Sequence, residues 1–278
     1  MSANSSATPI TKRLEGKVAL TTGGASGIGE TTASLERNFI QAKVLIADVQ
    51  NELGHLVCKD VGFESISYIH CDVTNEFDVE KAMDMTVSKY GKLDIMFNNA
   101  RILGNMVSQI LESENKDFKR VLDVNFFGAF LGAKHAARVM ILAKKGSILF
   151  TLSVALVLAG DTPHSYVASK HAVVGMAKNL SVELRQYGIR VNCESPFAAA
   201  TPMLRKAIRM MEKNKVEDVV SPCANLKGAV LELEDIVEVA LYLGSDESKY
   251  VSGMNLVVDG GYSLTNPTFL NAIESLFY

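Results

Sequence analysis

Cysteine is scarce in this chain of 278 residues: Cys58, Cys71, Cys193 and Cys223 are the only four, and no two stand at CxxC spacing. That spacing fits neither a zinc site nor a disulfide framework, so free thiols and a reducing compartment are expected. Basic residues form no block. Lys and Arg number 28 against 31 acids, for a formal net charge of −3 and a pI near 6.0. Nothing here points to nucleic acid or to an anionic membrane surface. No apolar run reaches the roughly 18 residues of a membrane-crossing helix. The opening MSANSSATPITKRLEGK lacks the apolar core of a secretory signal. Its serines and few acids leave a plastid address open beside the expected cytoplasmic location. His164 and His171 have no carboxylate or cysteine at ligand spacing, so packing is their expected role and no metal is expected.

What the sequence does hold is an alternation. Hydrophobic residues make up 48% of the chain, enough for one large α/β core. Short apolar, β-type runs recur at 17–23, 43–48, 66–70, 93–97, 147–152, 190–193 and 255–258. Amphipathic stretches long enough for helices separate them, among them 28–38, 78–90, 118–140 and 165–187. Strand and helix in turn predict a doubly wound, Rossmann-type parallel sheet of seven strands with helices on both faces. Strands covered on both sides read as near-continuous Val, Ile and Leu, as these do. A single domain over 15–265 is expected. Residues 1–14 are read as disordered, and the apolar tail 266–278 as seeking a partner surface in an oligomer.

Between the first strand and the first helix lies TTGGASGIGE, with Gly23, Gly27 and Gly29 spaced GxxxGxG. Glycines there permit a tight turn and close backbone approach, and the helix start offers free N–H groups to a pyrophosphate. Asp48 ends the second strand, where a carboxylate accepts from ribose hydroxyls and repels a 2′-phosphate, which favours NAD over NADP. Asp72, after the third strand, is placed to touch the adenine edge; on its own it reads as a strand-end turn.

HSYVASKHAVVGM puts Tyr166 and Lys170 four residues apart, on one helix face. A phenol is a poor base near neutrality, and a neighbouring cation lowers its pKa. Alone, such a pair reads as a surface Lys beside a packed Tyr; as a catalytic dyad, Tyr166 would be the acid/base for a hydroxyl proton and Lys170 its tuner. Ser153, at the end of the fifth strand, reads on its own as ordinary turn chemistry.

With these residues in order, the chain resembles the short-chain dehydrogenase/reductase family from about Leu14 to Tyr262. The resemblance rests on GxxxGIG, Asp48, Asp72 with Val73, the NNA of 98–100, Asn125, Ser153, Tyr166, Lys170, the RVN of 190–192, Pro196, Thr201 and VSGxxLxVDGGY. GIGETTA, HCDVT, GKLDIMF, KHAARVM, YGIRVNC, NLKG and SDESKYVSG are similar to the plant secoisolariciresinol dehydrogenase-like group. The resemblance implies catalytic Asn125, Ser153, Tyr166 and Lys170, with Asn125 holding a relay water or bracing backbone. It assigns NAD to Gly23, Ser26, Gly27, Ile28, Gly29, Asp48, Asp72, Val73, Asn99, Ala100, Tyr166, Lys170, Ala199 and Thr201. It also implies a homotetramer built on the 118–140 and Tyr/Lys helices, and substrates that are cyclic alcohols, lactols or ketones of lignan or terpenoid metabolism, iridoids such as nepetalactol included.

The chain departs from the family pattern at four places. Arg101 replaces the glycine after NNA, implying a shifted loop or an outward side chain. Phe197 follows Pro196, Glu194 stands where a small or apolar residue is usual, and no glycine ends the first helix near 38–43. VALVLAG after Ser153 replaces small polar residues. Val154, Leu156, Phe197 and Met203 are therefore read as an apolar substrate pocket, with Ala198–Ala200 and Leu204 beside them; core packing of 154–158 is the competing reading. Ile208, Met210 and Met211 line a lid or pack the core. The expected activity is an NAD-dependent hydride transfer on a small apolar cyclic substrate. The alternatives are a non-redox cyclase or isomerase retaining bound NAD and, less favoured because the tetrad is complete, a scaffold without catalysis.

Overall fold

The computed structural model describes residues 13–38, 42–62, 64–107, 109–160, 162–209 and 212–264. Seven parallel strands form one sheet: β1 (Val18–Thr22), β2 (Lys43–Asp48), β3 (Ile66–His70), β4 (Ile95–Asn98), β5 (Gly146–Thr151), β6 (Ile189–Pro196) and β7 (Asn255–Val258). Their order across the sheet is β3-β2-β1-β4-β5-β6-β7. Every residue of β1, β4 and β5 is buried, as strands covered on both faces must be. Helices α1 (Gly27–Asn38), α2 (Asn51–Val61), α3 (Glu76–Tyr90), α4 (Asn115–Leu122), α5 (Gly128–Ala143), α6 (His164–Leu184), α7 (Pro202–Ala207), α8 (Lys213–Val220) and α9 (Leu233–Gly244) connect them. The predicted seven-stranded, single-domain architecture is the observed one.

One predicted helix differs in detail. The 118–140 stretch comprises α4, a π-helical segment at Asp123–Phe127, and α5. The π segment adds a residue to the turn, and that is where Asn125 sits, buried. By length and composition the stretch Asn115–Ala143 would suffice to cross a membrane. In the fold it buries Leu131, Ala133, Ala136 and Met140 in the main core.

The N-terminal boundary also moves. Arg13 and Leu14, expected in the disordered segment, belong to the domain: Leu14 is fully buried, and Arg13 pairs with Glu238 at 2.6 Å and Glu247 at 2.9 Å. The expectations for residues 1–12, for the end of the first helix at 39–41, for Met210 and Met211, and for the tail 266–278 lie outside the described residues.

The topology sets the site. β1 lies between β2 and β4, and the chain leaves the two sides of this gap in opposite directions, opening a crevice at the strands' C-terminal ends. Packing behind the gap is tight. A Cβ on Gly132 of α5 would stand 2.0 Å from Asn98 Oδ1, whereas one on Gly175 of α6 meets nothing within 4 Å. Gly132→Ala is therefore expected to lower stability by about 1–3 kcal/mol through overpacking. Gly175→Ala is expected to raise it by about 0.5–1 kcal/mol through helix propensity. Urea denaturation of the two variants checks the pair; equal effects would contradict this packing.

Candidate active site

The crevice is braced from its floor. Thr22 ends β1, and its hydroxyl accepts from the N–H of Asn99 (3.1 Å) and of Ala100 (3.2 Å). The Asn99 side-chain amide also donates, to Thr22 O and Gly23 O. Gly23 needs its lack of side chain: φ is +63°, and a Cβ would lie 2.7 Å from Ala100 Cα. Gly29 is likewise required, because a Cβ there would lie 2.2 Å from Gly23 O. Its role is to seat α1 under the turn.

A groove of about 770 Å³ runs over this turn. Gly23, Ser26, Gly27 and Ile28 line it from the glycine loop, Asp48 from the end of β2, and Asp72 with Val73 from the segment after β3. Asn99, Ala100 and Thr201 complete the predicted set. Asp48 Oδ2 accepts from Ala25 N–H at 3.0 Å, which ties the acid to the glycine turn. A carboxylate has acceptor sites to spare for ribose hydroxyls. Asp72 Oδ1 closes a local turn on Thr74, so the turn reading of this residue holds beside its place in the groove. These residues fit an adenine dinucleotide: a side-chain-free cradle for the pyrophosphate at a helix start, and an acid at the ribose position. Gly29 and Ala199 were assigned to the cofactor from the sequence, but neither lines the groove; Ala199 faces the second cavity instead. Val49, Gln50, Lys206 and Arg209 line the groove and went unnoticed, for they carry no motif.

The second cavity, of about 260 Å³, opens beside the first. Tyr166 and Ser153 line it together, with the predicted Val154, Phe197 and Met203. Phe197 stacks against Tyr262, ring centres 4.3 Å apart. Leu156 is a correction: Val154–Leu156 form a 3₁₀ turn, and Leu156 packs against the main core instead. Leu103, Met106, Leu158, Leu204 and Ile208 make most of the remaining wall apolar. Leu103, Met106 and Arg101 line both cavities, as do Ile28, Thr201 and Met203. Arg101 thus stands where groove and cavity meet.

Lys170 is almost wholly buried; its Nζ donates to Thr151 O at 2.8 Å and lies 5.3 Å from the Tyr166 ring centre. Tyr166 and Lys170, also assigned to the cofactor, do not line the groove itself. Asn125 is committed to backbone: Oδ1 accepts from Ile102 N–H at 2.8 Å, and the amide donates to Ile102 O and Ser169 Oγ. Its side chain fixes the loop that carries Arg101. His171 donates to Val167 O within its own helix.

Arg101 contradicts the expectation of an outward side chain. One guanidinium nitrogen donates to Asn99 O at 3.0 Å and to Asn99 Oδ1 at 2.6 Å, which turns the fork inward. There it interacts with the Tyr166 phenol, as does the Ser153 hydroxyl. Burial holds the phenol above its ordinary value of 10, and the Arg101 charge and Ser153 pull it back. Burial and then the Arg101 charge hold Lys170 well below the usual lysine value. Arg101 therefore stands beside the phenol as a second cation, in addition to Lys170. Glu194, also buried, accepts from Thr151 Oγ1 at 3.1 Å, and burial pushes its acid up to about 8.

The chain is similar to known oxidoreductases over nearly its whole length. The family model described as enoyl-(acyl carrier protein) reductase matches residues 23–263. The chain is 54% identical over 261 residues to secoisolariciresinol dehydrogenase of Forsythia intermedia, covering 93% of each chain. It is 55% identical over 261 residues to a mitochondrial borneol dehydrogenase of Lavandula x intermedia, covering 94% of this chain and 95% of that one. Among solved structures, levodione reductase superposes with a TM-score of 0.82 at 30% identity, over 91% of this chain and 100% of that one.

Glu194 should leave a mark on stability. Between its ordinary 4.5 and about 8, the folded chain keeps a proton that the unfolded chain has lost. Its contribution to stability is therefore full below 4.5, declines as pH rises through that window, and levels off above it. Glu194→Gln removes the titration. Relative to wild type, the variant is expected to gain stability in urea denaturation between pH 5 and pH 8.5; a constant difference would contradict a protonated, buried acid.

Proposed function

The chain belongs to the short-chain dehydrogenase/reductase family and is an enzyme of that family, and from this premise we propose that it moves hydride between NAD and a secondary alcohol or ketone on an apolar, cyclic terpenoid or lignan skeleton. One observation carries the reading: Ser153 and Tyr166 share the wall of an apolar cavity that opens onto a groove with an acid at its far end. Apolar walls favour a hydrocarbon skeleton over a sugar or hydroxy acid, and the two hydroxyls leave a place for a single oxygen. The nicotinamide, when bound, supplies the hydride acceptor or donor. Ser153 orients the substrate oxygen, and Tyr166 takes or returns its proton. Asp48 supports NAD over its phosphorylated form, because its charge opposes a 2′-phosphate.

The named relatives support the substrate class, since borneol and secoisolariciresinol are both alcohols on apolar ring-bearing skeletons. A cytoplasmic homotetramer is part of the same proposal. Exposed Phe127 and Phe130, stacked with ring centres 6.0 Å apart on the α5 side, offer it an apolar contact.

Purified protein with NAD and borneol, or a panel of cyclic terpenoid alcohols and lactols that includes nepetalactol, is expected to raise the absorbance of reduced nicotinamide. NADP is expected to serve worse. Tyr166→Phe is expected to cut the rate by about 10²–10⁴-fold. Full activity in that variant would contradict the assignment. Substrate conversion at unchanged absorbance would favour the cyclase or isomerase reading instead.

A further inference from the structure

The sheet register sets Gly23, Asn99, Thr151 and Glu194 in one row. Thr22 of β1 pairs with Asn98 of β4, Asn98 with Phe150 of β5, and Thr151 with Glu194 of β6. The Thr151 hydroxyl lies 3.1 Å from Glu194 Oε1 and 3.3 Å from Asn99 Oδ1. The Asn99 amide nitrogen is already committed, donating to Thr22 O at 3.1 Å and to Gly23 O at 2.9 Å. The atom that faces Thr151 is therefore the amide oxygen, which only accepts. A carboxylate also only accepts, and a hydroxyl has a single proton to give. One proton cannot serve both contacts, so the second must come from Glu194. We propose that Glu194 is a neutral acid acting as a hydrogen-bond donor: it donates to Thr151, Thr151 donates to Asn99, and this relay positions the Asn99 side chain under the glycine turn of the groove.

With that proton in place every contact of the row is made. Asn99 Oδ1 accepts from Thr151 and, at 2.6 Å, from the Arg101 guanidinium, which fills both its lone pairs. Glu194 Oε2 is buried without a partner among the described residues. An unpaired acid carbonyl costs less there than an unpaired carboxylate charge. The titratable groups around Glu194 are few. Arg101 comes from the loop after β4, Lys170 and Tyr166 from α6, and Cys193 from β6 itself. The buried face of α9 and the strand β7 bring none. Lys170 is held well below its usual value, and the Cys193 thiol is pushed up to about 12, so neither Lys170 nor Cys193 favours a carboxylate strongly. Burial raises the acid to about 8 against the pull of Thr151 and of the Arg101 charge. When the proton leaves, the carboxylate draws the Thr151 hydroxyl to itself, because a charge-assisted bond is the stronger one. Asn99 Oδ1 then loses a donor.

The role of the groove rests on the proposed function, but the relay does not, so its test begins without a ligand. The full chain is labelled with ¹³C at the glutamate carboxyls, and infrared spectra of wild type and Glu194→Gln are subtracted at pH 6.5. The difference is expected to show the C=O stretch of a protonated acid, fading as pH rises through about 8. Its absence at pH 6.5 would overturn the proposal. In chain labelled with ¹⁵N at asparagine side chains, the Asn99 signals, assigned by Asn99→Ser, are expected to move with the same midpoint. They are expected to stay still in Glu194→Gln, whose amide donates to Thr151 at every pH, and in Thr151→Val, which cuts the relay and keeps the shape. Movement in Thr151→Val would mean a through-space charge effect and no relay. Equilibrium dialysis with NAD then reads the groove. Wild-type affinity is expected to fall about two- to fivefold from pH 6.5 to pH 9.5, the worth of part of one hydrogen bond, while Glu194→Gln holds level. An equal fall in both would overturn the positioning role. Failure of NAD to bind at any pH would contradict the proposed function, whereas the spectra still decide the relay.

Discussion

Everything at the candidate site depends on the crevice beyond the C-terminal ends of the paired strands β1 and β4. A parallel sheet must reverse its winding somewhere, and the reversal leaves the C-terminal strand ends without a covering connection. Here Asn99 donates to Thr22 from both its backbone N–H and its side-chain amide, which ties the ends of β1 and β4 together. The glycine turn rests on Ala100 on one side and is tied to Asp48 on the other. A side chain at Gly23 or Gly29 would collide with that backbone, so the cradle for an anion is made of main-chain N–H groups brought close by the absence of Cβ atoms.

The second constraint is charge in a place that resists it. Lys170, Glu194 and Tyr166 are buried with the half-buried Arg101 nearby, and isolated ions out of water cost several kcal/mol each. The structure meets this cost by hydrogen-bonding each charge to neighbouring atoms and by letting the softer groups go neutral. Lys170 and Glu194 move toward neutrality in opposite directions, one lowered and one raised. Arg101, which cannot follow, is held by Asn99 through two short contacts.

Much of this was legible in the sequence. Buried parallel strands betray themselves as apolar runs, so all seven were found within a few residues. The glycine loop, Asp48, Ser153 and Tyr166 stand at spacings that the fold converts into proximity. What escaped has local causes. The π turn at Asp123–Phe127 inserts a residue that a 3.6-residue period cannot reveal. Leu156 was misplaced because a 3₁₀ turn rotates it onto the core. The direction of Arg101 was unreadable because it is set by hydrogen bonds to Asn99, whose own side chain is fixed by the β1 end and by Thr151 of β5.

The central claim is hydride transfer at the junction where Arg101, Ser153 and Tyr166 meet. The most direct test supplies borneol deuterated at its carbinol carbon together with NAD, and examines the recovered cofactor by mass spectrometry. The account predicts that the deuterium appears in the reduced nicotinamide as the ketone forms. Product that forms while the cofactor stays unlabelled and oxidised would contradict it.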